Sequence, residues 1–420
     1  MEQSKSGLSS PPLQPQIVLP HVPVSTVDYI NASHPDLIQP HEKVHWLQNS
    51  KNDTNYSYSI FSAVYSPDSP PAPGIPPFAE PGFIALPPTY RRQTLFKMSY
   101  PPELYPNAVC NDGTMGALYF AKPEGADNNS DTPKTWLMYL QGGGWCFDKE
   151  SCRARMQYTP DYMSSTRWAE TRVEGGIFSP DPSLSPLAHA YKVYQPYCTS
   201  DAFVGDAAAS DATFGWHFRG QANVEATLKE MVRLLGLKSG DTLIFSGCSA
   251  GGRGAMFNID YVPQMIPEGV RVIGLFDAAM WVITSSFILP QQTAMVLQLS
   301  NAYGRLGEKC AKVHTAPEEQ WKCLYGQFRA QYVSLPFLMA ASQYDSFQLF
   351  TNTPHMEPYT QQEWEYIGQF RQAVRSALSS LPQHSTTVFS VGCWLHCITE
   401  TELMWERFVV DQYGIALSLR

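Results

Sequence analysis

The chain has 420 residues and a mass of 47.0 kDa, which allows one large domain or two of medium size, and 44% of its residues are apolar against 16% charged. Its formal net charge of −9 makes it a poor candidate for nucleic-acid binding, which depends on basic patches. The sequence contains no run of eighteen apolar residues, so no membrane span is predicted, and its first residues lack the apolar core of a signal peptide.

Residues 1–90 differ in composition from the rest of the chain. They hold sixteen of the 34 prolines. Proline lacks the backbone N–H donor and fixes φ, so this stretch favours extended or irregular backbone. We therefore predict a proline-rich N-terminal arm over 1–90, and a catalytic domain over 91–420.

The second region alternates predicted strands with predicted helices. Short apolar runs predict strands at Ala117–Phe120, Thr135–Leu140, Asp241–Phe245, Val270–Phe276, Leu335–Ala341 and Thr386–Val391. Helical periodicity predicts helices at Ala222–Leu235, Gln361–Leu378 and Trp405–Tyr413. The stretch between the strand at 135–140 and about Asp211 is predicted to be rich in loops. The alternation favours an α/β fold, with a mostly parallel sheet and helices on both faces.

The apolar run at 243–245 leads into the sequence Ser-Gly-Cys-Ser-Ala-Gly-Gly at 246–252. This Gly-x-Ser-x-Gly pattern between a strand and a helix is typical of a nucleophile elbow, although a glycine-rich turn gives the same pattern. In an elbow, the Ser249 hydroxyl is exposed at the sheet edge, and the Ala250 N–H helps to hold the oxyanion that forms when Ser249 attacks a carbonyl.

A serine nucleophile needs a base, and the base needs an acid that orients it. In α/β-hydrolases the chain order is serine, acid, histidine, and Ser249, Asp345 and His396 meet that order. Asp277 also follows a predicted strand and is a rival acid. The spacing leaves the histidine open as well, with His217 and His384 as alternatives to His396.

A glycine run follows the predicted strand at 135–140. Gly142, Gly143 and Gly144 lie where the second oxyanion donor of an α/β-hydrolase is expected. A flexible turn would explain the glycines equally simply. A phosphate-binding loop is disfavoured, because the sequence has neither a Gly-Lys-Ser/Thr motif nor a Gly-x-Gly-x-x-Gly spacing here.

The nine cysteines are numerous for a cytosolic enzyme. Cys146 with Cys152, and Cys310 with Cys323, are near enough in sequence to close small loops as disulfides. Because the count is odd, at least one thiol stays free if the others pair, and we predict that it is Cys248. No Cys-x-x-Cys motif occurs, so no metal site is predicted.

The cysteines favour a secreted protein or one in the secretory-pathway lumen. The same setting is favoured by four N-glycosylation sequons in polar, turn-rich stretches, which begin at Asn31, Asn52, Asn55 and Asn128.

Seven ordered stretches resemble the pectin acetylesterase family, which also contains the Notum carboxylesterases. They are 110–113, 140–146, 197–198 with 205–206, 217–220, 246–252, 344–348 and 393–397. The resemblance implies an α/β-hydrolase fold, a Ser249, Asp345, His396 triad, and an oxyanion hole built from the backbone of Gly143, Gly144 and Ala250. It also implies a Cys146–Cys152 disulfide and a Cys110–Cys198 disulfide.

The resemblance implies a serine carboxylesterase that needs no cofactor. Its substrate would be an acylated polysaccharide such as O-acetylated pectin, or another acyl ester. The alternatives are a protein O-lipid deacylase of the Notum type and an inactive member that binds glycan or protein. The bulky Trp145 beside the glycine run, with Trp281, is expected to floor a shallow substrate pocket suited to short acyl groups.

Overall fold

In a computed structural model of the chain, the structure describes residues 44–45, 62–63, 91–126, 132–353 and 359–400. Within 1–90 it describes only two short strands, Val44–His45 and Ser62–Ala63, which pair antiparallel. The rest of the predicted arm, the four sequons and the predicted helix at Trp405–Tyr413 lie outside the described residues, so these remain predictions.

Among the described residues, the main sheet has nine strands. In chain order they are β1 Gln93–Ser99, β2 Ala117–Ala121, β3 Thr135–Leu140, β4 Thr171–Glu174, β5 Tyr191–Gln195, β6 Thr242–Cys248, β7 Arg271–Asp277, β8 Phe337–Ser342 and β9 Thr386–Val391. Their spatial order across the sheet is β9-β8-β7-β6-β3-β5-β2-β1-β4. The six strands from β9 to β5 run parallel, and β2, β1 and β4 extend the sheet antiparallel. The predicted mostly parallel sheet is confirmed.

Eight α-helices accompany the strands in the described part of the chain. They are α1 Lys149–Tyr158, α2 Gly220–Glu230, α3 Ala250–Asn258, α4 Ile288–Leu299, α5 Glu308–Val313, α6 Gly326–Arg329, α7 Ser346–Asn352 and α8 Gln361–Ser379. Short 3₁₀ turns connect several of them, and a π-helical turn at Met231–Leu235 continues α2.

Both faces of the central strand β3 are buried. Along β3, Trp136, Met138 and Leu140 pack into one apolar cluster. The alternate residues Leu137 and Tyr139 pack into the cluster on the opposite face. Because successive side chains of a strand point to opposite faces, a strand that is apolar throughout reads as the centre of a sheet covered on both sides.

The six predicted strands are all present, with ends shifted by at most a few residues. The loop-rich prediction for the stretch up to Asp211 is wrong in part, because it contains α1, β4 and the fully buried β5. Strand β5 reads Tyr-Lys-Val-Tyr-Gln, and its Lys192 and Gln195 mask the apolar signal. Lys192 stays buried because its ammonium donates to the carbonyl oxygens of Ala188 and Ser179 at 3.0 and 3.4 Å.

Candidate active site

Ser249 stands at the tight turn between β6 and α3. Its φ of 57° and ψ of −122° lie outside the regions that a non-glycine residue ordinarily occupies. Such a conformation persists only where the surrounding structure enforces it, and it is common at functional sites. The side chain is 5% exposed. The predicted strand, turn and helix around Ser249 are therefore all present.

The glycines around Ser249 allow the turn to pack tightly. A Cβ on Gly251 would lie 2.0 Å from the carbonyl oxygen of Leu140, and one on Gly247 would lie 2.5 Å from the carbonyl carbon of Gly251. Neither position has room for a side chain. A Cβ on Gly142 would lie 3.2 Å from the Cβ of Ser249, so the glycine run after β3 passes directly beside the serine.

His396 and Asp345 are in direct contact. The Nδ1 atom of His396 lies 2.9 Å from Oδ2 of Asp345. The other oxygen of Asp345 accepts the Gln348 N–H at 2.9 Å, which caps the N-terminus of α7. Asp345 thus contacts His396 through one carboxylate oxygen and caps α7 through the other. The Nε2 atom of His396 is buried and has no hydrogen-bond partner among the described residues.

The environment of His396 alters its proton affinity. Burial lowers its pKa, but the negative charge of Asp345 and the hydrogen bond that the imidazole donates to that carboxylate act in the opposite direction. The net result is a pKa raised above the ordinary value for histidine. The ring of Phe347 stacks on the imidazole at a centroid distance of 5.2 Å, which supports the ring from its face.

Asp277, the rival acid, is hydrogen-bonded not to His396 but to Thr399, three residues further along the chain. Its Oδ2 atom accepts the N–H of Thr399 at 2.6 Å and the Thr399 hydroxyl at 2.7 Å. Its backbone carbonyl accepts the N–H of Ser249 at 3.0 Å. Asp277 is fully buried, and burial raises the pKa of its carboxyl group. It therefore ties the elbow to the segment that carries His396.

In the described part of the chain, the rival histidines His217 and His384 have no carboxylate within ion-pair distance. Among the described residues, the histidine–carboxylate contacts are His396 with Asp345 and a 3.9 Å approach of His314 to Glu319. His217 instead accepts the N–H of Ala209 at its Nδ1. The geometry thus favours His396 over His217 and His384.

Two glycines of the run after β3 adopt backbone angles that favour glycine. Gly143 has a φ of 137° and Gly144 a φ of 66°. Arg155 of α1 donates from Nη1 to the Gly143 carbonyl at 2.7 Å and from Nε to the Ser200 hydroxyl at 2.8 Å. Because a trans peptide points its C=O and N–H in opposite directions, holding the Gly143 carbonyl on Arg155 turns the Gly144 N–H away from it.

Trp145 and Trp281 enclose a buried arginine. The guanidinium of Arg253 lies 4.0 Å from the centre of the Trp145 ring and 3.8 Å from that of Trp281. It donates to the Leu324 carbonyl at 2.8 Å, and burial lowers the pKa of Arg253 to about 9. Trp281 also stacks on Phe347, so a continuous row of flat side chains leads from His396 to Trp145.

The cysteines pair as predicted at three places and differ at the fourth. Disulfides join Cys110 to Cys198, Cys146 to Cys152, and Cys310 to Cys323. The prediction of a free Cys248 is wrong, because Cys248 is bonded to Cys397. The unpaired cysteine of the nine is Cys393. Separation in sequence could not reveal this pair, since its members are 149 positions apart and only the folded sheet brings them together.

Two further observations concern ligands and membranes. The sulfurs of Cys248 and Cys397 and a ring nitrogen of His396 lie within 4.8 Å of one another, but the two sulfurs are bonded to each other and so are not thiolate ligands. Among the described residues, no helix combines the length and the apolar character that a membrane crossing requires.

Sequence reasoning missed three residues that surround the site. Arg155 and Arg253 carry no motif, and only their burial beside the glycine run and the tryptophans reveals them. A signal for Cys397 was present in the sequence. It directly follows His396, just as Cys248 directly precedes Ser249, and two cysteines placed in that way next to a proposed base and nucleophile are candidates for pairing.

Comparisons with known proteins show a family and a fold to which the chain is similar. The sequence model of the family described as Pectinacetylesterase matches residues 98–419. The palmitoleoyl-protein carboxylesterase NOTUM of Drosophila melanogaster is 30% identical over 325 residues, which cover 74% of this chain and 46% of that protein. Palmitoleoyl-protein carboxylesterase notum2 of Xenopus laevis is 29% identical over 330 residues, which cover 74% of this chain and 64% of that protein.

The similarity extends to the fold. The solved structure of the Wnt deacylase Notum from Drosophila (crystal form II) superposes with a TM-score of 0.67 at 28% identity, covering 78% of this chain and 91% of that one. The nine-stranded sheet with its helices is thus an α/β-hydrolase-like fold. The chain spans about half to two thirds of the length of the two relatives named above, at 46% and 64%.

Proposed function

Because the chain belongs to the pectinacetylesterase family, we propose that it is a serine carboxylesterase that hydrolyses O-acyl esters through an acyl-enzyme. The observation that carries the proposal is the contact of His396 Nδ1 with Asp345 at 2.9 Å, in a chain whose Ser249 occupies the tight turn between β6 and α3. A hydrogen-bonded acid and histidine, with a serine held in an elbow, form the arrangement that ester hydrolysis by acyl transfer needs.

In the proposed mechanism, Ser249 attacks the ester carbonyl carbon and His396 Nε2 accepts the serine proton. Asp345 holds the ring by its Nδ1 and stabilises the imidazolium. The N–H groups of Gly143, Gly144 and Ala250 receive the oxyanion. His396 then gives its proton to the departing alcohol oxygen. Water, deprotonated by the same histidine, then attacks the acyl carbon. The bond from that carbon to Ser249 Oγ breaks as His396 returns the proton to the serine, and the acid is released.

The substrate we propose is an O-acetylated polysaccharide such as pectin. The support is the family and the packing of the Arg253 guanidinium against Trp145, which directly follows the glycine run, and against Trp281. We expect this packing to leave little room for a long acyl chain. A protein O-lipid deacylase remains the alternative, favoured by the similarity to proteins named as palmitoleoyl-protein carboxylesterases.

We also propose that the chain works outside the cytosol. Four disulfides join eight of its nine cysteines, and disulfides persist in oxidising compartments. An extracellular or secretory-lumen setting is also where an acetylated polysaccharide is encountered as a substrate.

The direct test is Ser249→Ala. We expect hydrolysis of p-nitrophenyl acetate to fall by about a million-fold, as for other triad serines, because no other group of the site replaces the attacking oxygen. Thermal unfolding of the variant should match that of wild type. Retained hydrolysis in a clean preparation would place the nucleophile elsewhere.

A fluorophosphonate probe separates the enzyme from an inactive binding protein. Wild type should react once per chain, and peptide mapping should find the label on Ser249. A screen of acetylated pectin against a palmitoleoylated peptide then distinguishes the two substrate classes. Absence of labelling together with binding of unmodified glycan would favour the inactive member.

A further inference from the structure

The Cys248–Cys397 disulfide joins the neighbours of the two residues proposed to exchange the proton. Cys248 directly precedes Ser249, and Cys397 directly follows His396. The Cα atoms of the two cysteines are 5.4 Å apart. Resting on the proposed function, we propose that this disulfide is a positioning cross-link, which sets the separation of the Ser249 hydroxyl and the His396 imidazole.

The topology creates the need for such a cross-link. Cys248 is the last residue of β6, whereas His396 follows β9, and β7 and β8 lie between these two strands in the sheet. No strand pairing connects β6 with β9. Residues 392–400 form bends and turns rather than a helix or strand. A side chain on such a segment keeps its place only through individual contacts.

Different residues hold different parts of the segment at 392–400. Asp345 holds the imidazole at Nδ1 and so sets the tilt of the ring, but Asp345 is the N-cap of α7 and does not belong to the elbow. Asp277 binds Thr399, two residues beyond the disulfide. Within the described residues, the disulfide is the covalent connection from the proposed base to the elbow itself, one residue away from each group.

The chemistry explains why position matters here. Proton transfer from a serine to a histidine requires the two heavy atoms to approach within hydrogen-bond distance. Displacement of a catalytic group by about 1 Å can cost on the order of 100-fold in rate. In the part of the chain that the structure describes, the Nε2 atom of His396 has no hydrogen-bond partner that would restrain it. Opening the disulfide should therefore lower the rate of the chemical step while leaving substrate binding intact.

The chain offers a matched control. Cys310 and Cys323 form a second disulfide whose cysteines are both fully buried, away from the three proposed catalytic residues in sequence. The experiment compares Cys248→Ala with Cys397→Ala, made together, against Cys310→Ala with Cys323→Ala, made together. All three proteins are assayed with p-nitrophenyl acetate, at a temperature well below their melting temperatures.

We expect the first pair of substitutions to lower kcat by roughly 10- to 100-fold, with KM changed by about twofold or less. The rate of labelling by a fluorophosphonate should fall in the same proportion, because it depends on the same serine and histidine. The control pair should lower the melting temperature and keep kcat. Wild-type kcat in the first pair, or equal losses in both pairs, would overturn the proposal.

A second measurement applies if the first double variant does not fold. Cys393→Ser protein, which lacks the unpaired thiol, is partly reduced with dithiothreitol under native conditions. Each dithiothreitol gives two electrons and two protons, leaves as its cyclic disulfide, and converts one protein disulfide into two thiols. Alkylation and mass mapping give the open fraction of each disulfide. Activity should fall with the open fraction of Cys248–Cys397, and activity that is independent of it would overturn the proposal.

The Ser249→Ala variant separates this inference from the proposed function. If Ser249→Ala retains hydrolysis, the proposed function itself fails. If Ser249→Ala is inactive while opening of Cys248–Cys397 leaves kcat unchanged, the proposed function stands and the positioning role alone is wrong.

Discussion

At the residue scale, His396 is the group whose protonation should control activity. Only the neutral imidazole accepts the serine proton, so hydrolysis should decline as pH falls through the His396 pKa. Because Asp345 raises that pKa despite burial, we expect the acid limb of the kcat/KM profile to have its midpoint above the ordinary histidine value of about 6.5. The measurement is the pH dependence of kcat/KM for p-nitrophenyl acetate, and a midpoint below the ordinary value would contradict the assignment.

The two buried aspartates beside this histidine predict different outcomes. Asp345→Asn removes the charge that orients the imidazole, and we expect a loss on the order of ten-thousandfold in kcat. Asp277→Asn keeps an oxygen that can accept both Thr399 donors, so its loss should be far smaller. Parallel kinetics of the two variants provide the test. If the Asp277 variant is the inactive one, the roles assigned to these residues must be exchanged.

At the element scale, helix α1 and the glycine run after β3 act as one unit. Arg155 of α1 holds the Gly143 carbonyl and the Ser200 hydroxyl, while its guanidinium lies 4.8 Å from the centre of the Tyr162 ring. Lysine keeps the positive charge but lacks the planar fork that reaches both acceptors. The orientation of the Gly143–Gly144 peptide therefore depends on arginine at this position.

We expect Arg155→Lys to lower kcat by about tenfold or more, since a misdirected oxyanion donor stabilises the transition state less. KM should change little. Arg153→Lys is the matched control, because Arg153 lies on the same helix with 67% of its side chain exposed and pairs only at 3.7 Å with Glu150. Equal kinetics of the two lysine variants would show that Arg155 does not act on the glycine run.

At the scale of the whole molecule, three segments that are distant in sequence meet where Arg253 packs against Trp145 and Trp281. Trp145 follows β3, Arg253 lies in α3, and Trp281 follows β7. Trp281 is 2% exposed and Arg253 1%, so protein side chains fill the region next to Trp145. Trp281 in turn stacks on Phe347, and Phe347 stacks on the imidazole of His396.

We therefore expect short acyl groups to be preferred. Each methylene that a pocket accepts contributes about 0.8 kcal/mol, so an open pocket would make octanoate a better substrate than acetate. If side chains already fill the pocket, the additional methylenes of octanoate contribute no such binding free energy. The measurement is kcat/KM for p-nitrophenyl acetate, butyrate and octanoate below micelle-forming concentrations, with Trp145→Ala as the variant that opens space. A steady rise from acetate to octanoate in wild type would favour the lipid deacylase.

Local sequence patterns sufficed for much of the fold. The apolar run of β3, the strand, turn and helix around Ser249, and the capped helix α8 each depend on residues close together in the chain. Such elements are specified by side-chain periodicity and by glycines at positions with no room for a Cβ. Strand β5 was not predicted, because its buried lysine and glutamine interrupt that periodicity.

The partners of the site depended on the tertiary structure. Spacing alone left Asp345 and Asp277 open, and the geometry puts one on the imidazole of His396 and the other on Thr399. The pairing of Cys248 with Cys397 was likewise not predicted, because Cys397 follows β9, which two other strands separate from β6 in the sheet. Sequence determines which residue types are available at each strand end, but which of them touch is decided by the order of the strands in the sheet, and that order is a property of the folded chain.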